Sequence, residues 1–174
     1  MTQLALPSPS ATVLLVEDST INVVMAMKSF RTVSIPHEVH VAVDGDDAMA
    51  FLRAVGDYAD RPWPDLVLLD LNMPNKDGHA VLQEMKSDVE LRSIPVIILT
   101  TSESETDIRQ AYDQHANAYV IKPICLHEWQ QLVQTIARFW LELAKRPSHV
   151  RQECRDQCST AGVTGRDLNV PAGN

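Results

Sequence analysis

The sequence predicts an α/β domain in which helices cover both faces of a parallel sheet. Two observations carry this expectation. Four short apolar runs recur along the chain: Val13-Leu14-Leu15-Val16, Leu66-Val67-Leu68-Leu69, Val96-Ile97-Ile98-Leu99 and Ala118-Tyr119-Val120-Ile121. Each is nearly all apolar and contains β-branched residues, as in strands covered on both faces. Amphipathic stretches alternate with the runs, and that alternation is the signature of βα units with a parallel sheet.

The elements follow in order. Residues 1–11 form a flexible leader, because Pro7 and Pro9 block regular structure. A strand at 13–16 leads to a helix over 20–32, with Ile21, Val24, Met25 and Met27 on a mixed apolar face. Val39-His40-Val41-Ala42-Val43 alternates more and fits an edge strand. Asp44 can cap a helix over 46–55, with Asp47 three residues on in a weak capping box. A longer connection at 57–64, containing Pro-Trp-Pro, precedes the third strand. Gly78 precedes a helix that carries Val81, Leu82 and Met85 on one side, and its φ is free to be positive. Ser104-Glu105-Thr106-Asp107 resembles a capping box ahead of Ile108, Ala111 and Tyr112. The last helix spans about 126–145, where Leu126, Trp129, Leu132, Val133, Ile136, Phe139, Trp140 and Leu143 recur three and four apart. Residues 12–146 thus make one domain, and 147–174, without sustained periodicity, a disordered tail.

Composition narrows the function classes. With 45% apolar and 22% charged residues in 174, the chain can bury a full core without staples. No window reaches 18 consecutive apolar residues, so no membrane partner is expected. The formal charge of −8 repels a phosphate backbone and disfavours nucleic acid. Three cysteines, Cys125, Cys154 and Cys158, make no disulfide framework. The first residues lack a basic start and an apolar run, so a secretory signal is not expected and the cytoplasm is.

The chemistry lies beyond the carboxyl ends of the strands, where open parallel sheets bind ligands. The first strand ends in Glu17-Asp18, the third in Asp70 followed by Asn72, the fourth in Thr100-Thr101-Ser102, and the fifth in Lys122-Pro123. Three carboxylates, several hydroxyls and one ammonium therefore converge on one sheet edge. Two carboxylates about 4 Å apart repel by about 4 kcal/mol at an effective dielectric near 20. Lys122 answers part of that charge and a hard divalent cation the rest. Mg²⁺ fits, since one or two carboxylates plus a carbonyl suffice for it. The six histidines lie scattered singly and show no zinc spacing.

With Glu17-Asp18, Asp70 in LLDLNMPNKDG, Thr100 thirty residues later and Lys122-Pro123 beyond it, the chain resembles the receiver domain of two-component response regulators over about 11–143. Within that family it is most similar to stand-alone phytochrome-associated regulators, through the 57–64 loop, LRSIPVIILTTSESETDI and Phe139-Trp140-Leu141. The resemblance implies a doubly wound, flavodoxin-like five-stranded sheet of order 2-1-3-4-5. It implies that Asp70 accepts a phosphoryl group from a sensor histidine kinase, with Mg²⁺ held by Asp18, Asp70, the Asn72 carbonyl and Glu17. It also implies that Lys122, the Thr100 hydroxyl and the Thr101 N–H bind the phosphoryl oxygens, and that the Lys122-Pro123 bond is cis. Thr100 and Tyr119 then act as the switch. Thr101 is bulkier than the Ala or Gly common at that place in the family.

No effector domain is expected after the last helix, so output must use the domain's own surface. Phe139, Trp140 and Leu141 cannot all point inward at 100° per residue. A homodimer through the fourth helix, fifth strand and fifth helix is expected. Two other readings compete. A haloacid-dehalogenase-like phosphatase also uses a strand-end Asp with Mg²⁺, but Asp70-Leu71-Asn72 lacks the second carboxylate of that class. A degenerate receiver that acts only as an interaction module is disfavoured because every site residue is present.

Overall fold

The computed structural model describes residues 10–74 and 76–146. The leader up to residue 9 and the tail 147–174, including Cys154 and Cys158, lie outside the described residues. The elements alternate as β1 Ala11–Val16, α1 Thr20–Phe30, β2 His37–Ala42, α2 Gly45–Leu52, β3 Leu66–Leu69, α3 Gly78–Ser87, β4 Val96–Thr100, α4 Glu105–Asp113, β5 Ala118–Ile121 and α5 Leu126–Ala137. All strand pairs are parallel, and the sheet runs β2-β1-β3-β4-β5. β1 begins two residues before the apolar run, because Ala11 pairs with His37. Among the described residues no helix is long and apolar enough to cross a membrane.

Side-chain alternation along the central strands divides the core in two. Leu14, Val16, Val67, Leu69 and Ile98 face α2 and α3, with Ala111 of α4 in the same cluster. Val13, Leu15, Leu66, Leu68 and Ile97 face α1 and α5. Trp129 anchors the second layer at 1% exposure, and burying an aromatic of that size is worth about 3 kcal/mol. β1, β3 and β4 are buried throughout, whereas β2 is half-buried, as its alternation suggests. β5 departs from expectation. Its apolar run suggested cover on both faces, yet it is half-buried to exposed. Among the described residues the strand order makes β5 an edge with β4 as its sole neighbour.

Helix ends follow local chemistry. Asp44 accepts from the Asp47 N–H at 2.8 Å, and Asp77 from the Ala80 N–H at 2.8 Å. Each satisfies one orphan donor of its helix. α2 stops at Leu52 rather than near 55. Ala54 takes a left-handed φ of 55°, and the Val55 N–H bonds back to the Ala50 carbonyl, closing a Schellman turn without glycine. α5 gives way to a π-helical turn, Arg138–Leu143. Leu141 is buried there, Trp140 half-buried, and Phe139 and Leu143 are 52% and 61% exposed. The 57–64 loop is pinned. Tyr58 donates its hydroxyl to Asp47 at 2.7 Å, and Arg61 donates to the Phe51 and Leu52 carbonyls at the end of α2. The Arg61 guanidinium lies over the Phe51 and Trp63 rings at 5.3 and 4.9 Å.

Lys86 makes a pH-sensitive tie between α3 and the loop before β4. Its ammonium donates to the Ile94 carbonyl at 2.8 Å, the Arg92 carbonyl at 3.2 Å and Asn117 Oδ1 at 3.4 Å. Burial pushes its pKa down from 10.5 to about 8. The folded chain then releases this proton before the unfolded chain does, so Lys86 adds stability as pH rises from about 8 toward 10.5. Tyr58 acts oppositely. The hydrogen bond to Asp47 raises its pKa from 10.0 to about 12, so its contribution is lost as pH rises through that interval. Between pH 7.5 and 9.5, urea unfolding is expected to show the natural chain gaining about 1 kcal/mol relative to Lys86→Met. Parallel curves for the two proteins would refute this assignment.

Candidate functional site

The carboxyl ends of β1, β3, β4 and β5 bring the site together. Glu17 and Asp18 follow β1, and Asp70 follows β3 with its N–H bonded to the Val16 carbonyl at 3.0 Å. Thr100 is the last residue of β4. Lys122 follows β5 and its N–H bonds to the Thr100 carbonyl at 2.8 Å. These ladder bonds explain why residues so distant in sequence share one pocket.

Lys122 is the centre of charge. Its Nζ lies 2.5 Å from Asp70 Oδ2 and 2.6 Å from Glu17 Oε2, with all three side chains at most 5% exposed. One ammonium thus serves two buried carboxylates. Glu17 Oε1 also accepts from Asn22 Nδ2 at 3.0 Å and from the Ser19 N–H at 3.2 Å. Asp70 Oδ1 accepts from the Asn72 N–H at 3.1 Å. Asp18 is exposed at the mouth. Among the described residues, Glu17, Asp18 and Asp70 form the one acidic group able to hold an ion, with ligand oxygens within 4.8 Å of one another.

This donor set fits a hard divalent cation. All three oxygens are carboxylate, and the exposed Asp18 leaves the ion access to solvent ligands. Formal charge agrees, since three carboxylates against one ammonium leave a net deficit of two positive charges. Three of the histidine rings take other partners: His79 lies 3.1 Å from Gln114, His127 lies 3.1 Å from Gln131, and His37 bonds the Ile35 carbonyl.

Thr100 is fully buried, and its hydroxyl accepts from Asn72 Nδ2 at 3.1 Å and the Ser102 N–H at 3.3 Å. Tyr119 is half-buried against the α2–α3 layer and donates its hydroxyl to the Ser102 carbonyl at 3.0 Å. Burial and the nearby Asp107 and Asp70 charges raise the Tyr119 pKa, although the bond to Ser102 opposes them. Thr101 is exposed beside this group.

Two implied features need correction. No cis peptide bond occurs among the described residues, so Lys122-Pro123 is trans. Trans is the lower-energy form by about 0.5–1 kcal/mol before proline, and the ammonium still points into the pocket. Gly78 does not take positive φ; among the described glycines, Gly56 alone does. Gly78 opens α3 directly beneath the Asp70 backbone, and a Cβ would overlap the Asp70 carbonyl oxygen and come within 2.7 Å of Leu71 Cα. Lack of room requires glycine there. The partners Asn22 and Ser19 had no sequence signal of their own, since small polar residues are common in loops and on helix faces.

Residues 13–136 match the response regulator receiver domain family, and the chain belongs to that family. It is a receiver of two-component signalling. Over 141 residues it is 43% identical to response regulator Rcp1 of Synechocystis sp. (strain ATCC 27184 / PCC 6803 / Kazusa), covering 81% of this chain and 96% of that protein. Among solved structures, it is 45% identical to the phosphorylated cyanobacterial phytochrome response regulator RcpA, with a TM-score of 0.76, covering 80% of this chain and 99% of that one. The manganese-bound form of Rcp1 is 43% identical with a TM-score of 0.74, covering 79% and 99%.

Proposed function

We propose that this chain accepts a phosphoryl group on Asp70 from a sensor histidine kinase of the phytochrome class and converts it into a change of its α4-β5-α5 surface. The observation that carries the reading is the Asp70 carboxylate, buried at a strand end, shared with Lys122 and flanked by two further carboxylates. The phytochrome link rests on the likeness to Rcp1 and RcpA.

An Asp70 oxygen attacks the phosphorus of a phosphohistidine. The O–P bond forms, the N–P bond breaks, and the imidazole nitrogen leaves and recovers a proton. Such transfers need positioning and neutralisation of charge more than covalent help. Asp18, Asp70, Glu17 and the Asn72 carbonyl would hold Mg²⁺, which when bound supplies positive charge to the transferring oxygens. Lys122 holds Asp70 at rest and pairs with a phosphoryl oxygen afterwards. The Thr100 hydroxyl and the Thr101 N–H offer two more donors. The Thr100 hydroxyl can donate its hydrogen while still accepting from Asn72 and Ser102, which links the new phosphate to the loop that holds Tyr119. Ile21 and Ile124, 75% and 96% exposed, flank Asp18 and Lys122 in sequence and offer the kinase an apolar rim. An ATP-driven kinase, together with an exposed free Cys125, suits the cytoplasm.

The test is incubation with a phytochrome-class kinase, ATP and Mg²⁺. The expected product is a label on this chain that hydroxylamine removes, as an acyl phosphate requires. Turnover of small phosphomonoesters, without a stable label, would instead favour the dehalogenase-like reading.

A homodimer through α4, β5 and α5 belongs to the same reading. Tyr112, Ile121, Phe139 and Leu143 are 51%, 38%, 52% and 61% exposed on these elements and the turn that extends α5. Phe139 meets Trp140 edge-on at 5.1 Å. Sedimentation is expected to show a dimer that beryllofluoride strengthens and that Phe139→Asp weakens at least about tenfold. A monomer with and without beryllofluoride would defeat it.

A further inference from the structure

The loop between β4 and α4 contains a joint that phosphoryl transfer alone does not require. Every polar atom of Ser102 is engaged. Its N–H donates to Thr100 Oγ1 at 3.3 Å, and its carbonyl accepts from the Tyr119 hydroxyl at 3.0 Å. Its hydroxyl donates to Asp107 Oδ2 at 2.5 Å and accepts from the Ser104 N–H at 3.2 Å. Asp107 closes the circuit through its own N–H, which donates to Ser104 Oγ at 3.4 Å.

This is a capping box with an extra hydroxyl inserted. In the ordinary motif the acidic side chain in the first helical turn reaches back to the N–H of the capping residue. Here Ser104 caps α4, but its N–H turns to Ser102 Oγ, and Asp107 takes the Ser102 hydroxyl instead. A hydroxyl-to-carboxylate bond of 2.5 Å belongs to the strong, charge-assisted class. Ser102 and Asp107 are half-buried, while residues 103–106 between them are exposed. The joint is therefore the inward anchor of an otherwise solvated segment.

We propose that Ser102 and Asp107 are positioning residues that couple the first turn of α4 to Thr100 and Tyr119. The proposal rests on Asp70 being the phosphoacceptor. When Thr100 moves, the Ser102 N–H moves with it, and the hydroxyl of the same residue carries that movement to Asp107. Coupling is reciprocal in free energy, so a partner that grips α4 in its shifted position favours the phosphorylated state of Asp70 in turn.

The full chain supplies the test. Amide NMR with and without beryllofluoride is expected to show resonances of Thr100, Tyr119 and Glu105–Arg109 shifting together. In Ser102→Ala and in Asp107→Ala, Thr100 and Tyr119 still respond, but Glu105–Arg109 lose most of their shift. Ser102→Thr, which keeps the hydroxyl, and Asp107→Asn, which keeps an acceptor oxygen, retain it. In a parallel assay, each alanine variant changes the decay of the kinase-borne label at least about threefold, and the double variant changes it no further than either single. Additive effects, or an α4 response that survives both alanine variants, would overturn the joint while leaving Asp70 as acceptor. A natural chain that takes no label removes the underlying reading instead.

Discussion

An Asp70→Asn chain is expected to take up no label from a kinase that labels the natural chain. The amide keeps the shape of the carboxylate and can still accept a hydrogen bond. It lacks the anionic oxygen that must attack phosphorus. Fold is not the cause of the loss, because Lys122 retains Glu17 as a partner at 2.6 Å. Circular dichroism of the variant should match the natural chain while the gel shows no transfer. Undiminished labelling of Asp70→Asn would move the acceptor elsewhere and end the mechanism as written.

Lys122→Ala carries the second large effect, and it reads out in stability as well as in signalling. The substitution leaves Glu17 and Asp70 buried, at 2% and 4% exposure, without their shared cation. Removing one partner from a buried ion pair costs about 3–5 kcal/mol. For a domain of this size that lowers Tm by about 10–20 °C in metal-free buffer. Millimolar Mg²⁺ is expected to restore part of the loss, because the acidic pocket then has another positive charge to answer it. The natural chain, already neutralised in part by Lys122, should gain less from the same addition. A variant whose Tm does not respond to Mg²⁺ would contradict the cation site.

The sequence made the scaffold legible because parallel strands announce themselves. Leu66–Leu69 and residues 96–99 are apolar throughout since both faces are covered. The site was legible for a related reason: polar residues that follow such runs have one edge of the sheet to occupy. Asp70, Lys122 and Thr100 met there as expected. Other features depend on distances that no linear pattern encodes. The run at β5 looks like its interior counterparts, and strand order alone makes it an edge. Gly78 reads as a flexible glycine, yet what it provides is space beneath Asp70. Ala54 ends α2 in a conformation usually left to glycine. The sharing of Lys122 between Glu17 and Asp70, and the use of all three polar groups of Ser102, follow from how the loops fold over one another.

Arg61 gives the molecule a stiff flank. Its guanidinium fills the end of α2 and stacks between Phe51 and Trp63, while Tyr58 ties the same loop to Asp47. The opposite flank is the open rim of β5. The α2 side of the sheet is thus tied down by side chains, whereas among the described residues the β5 edge pairs with β4 alone.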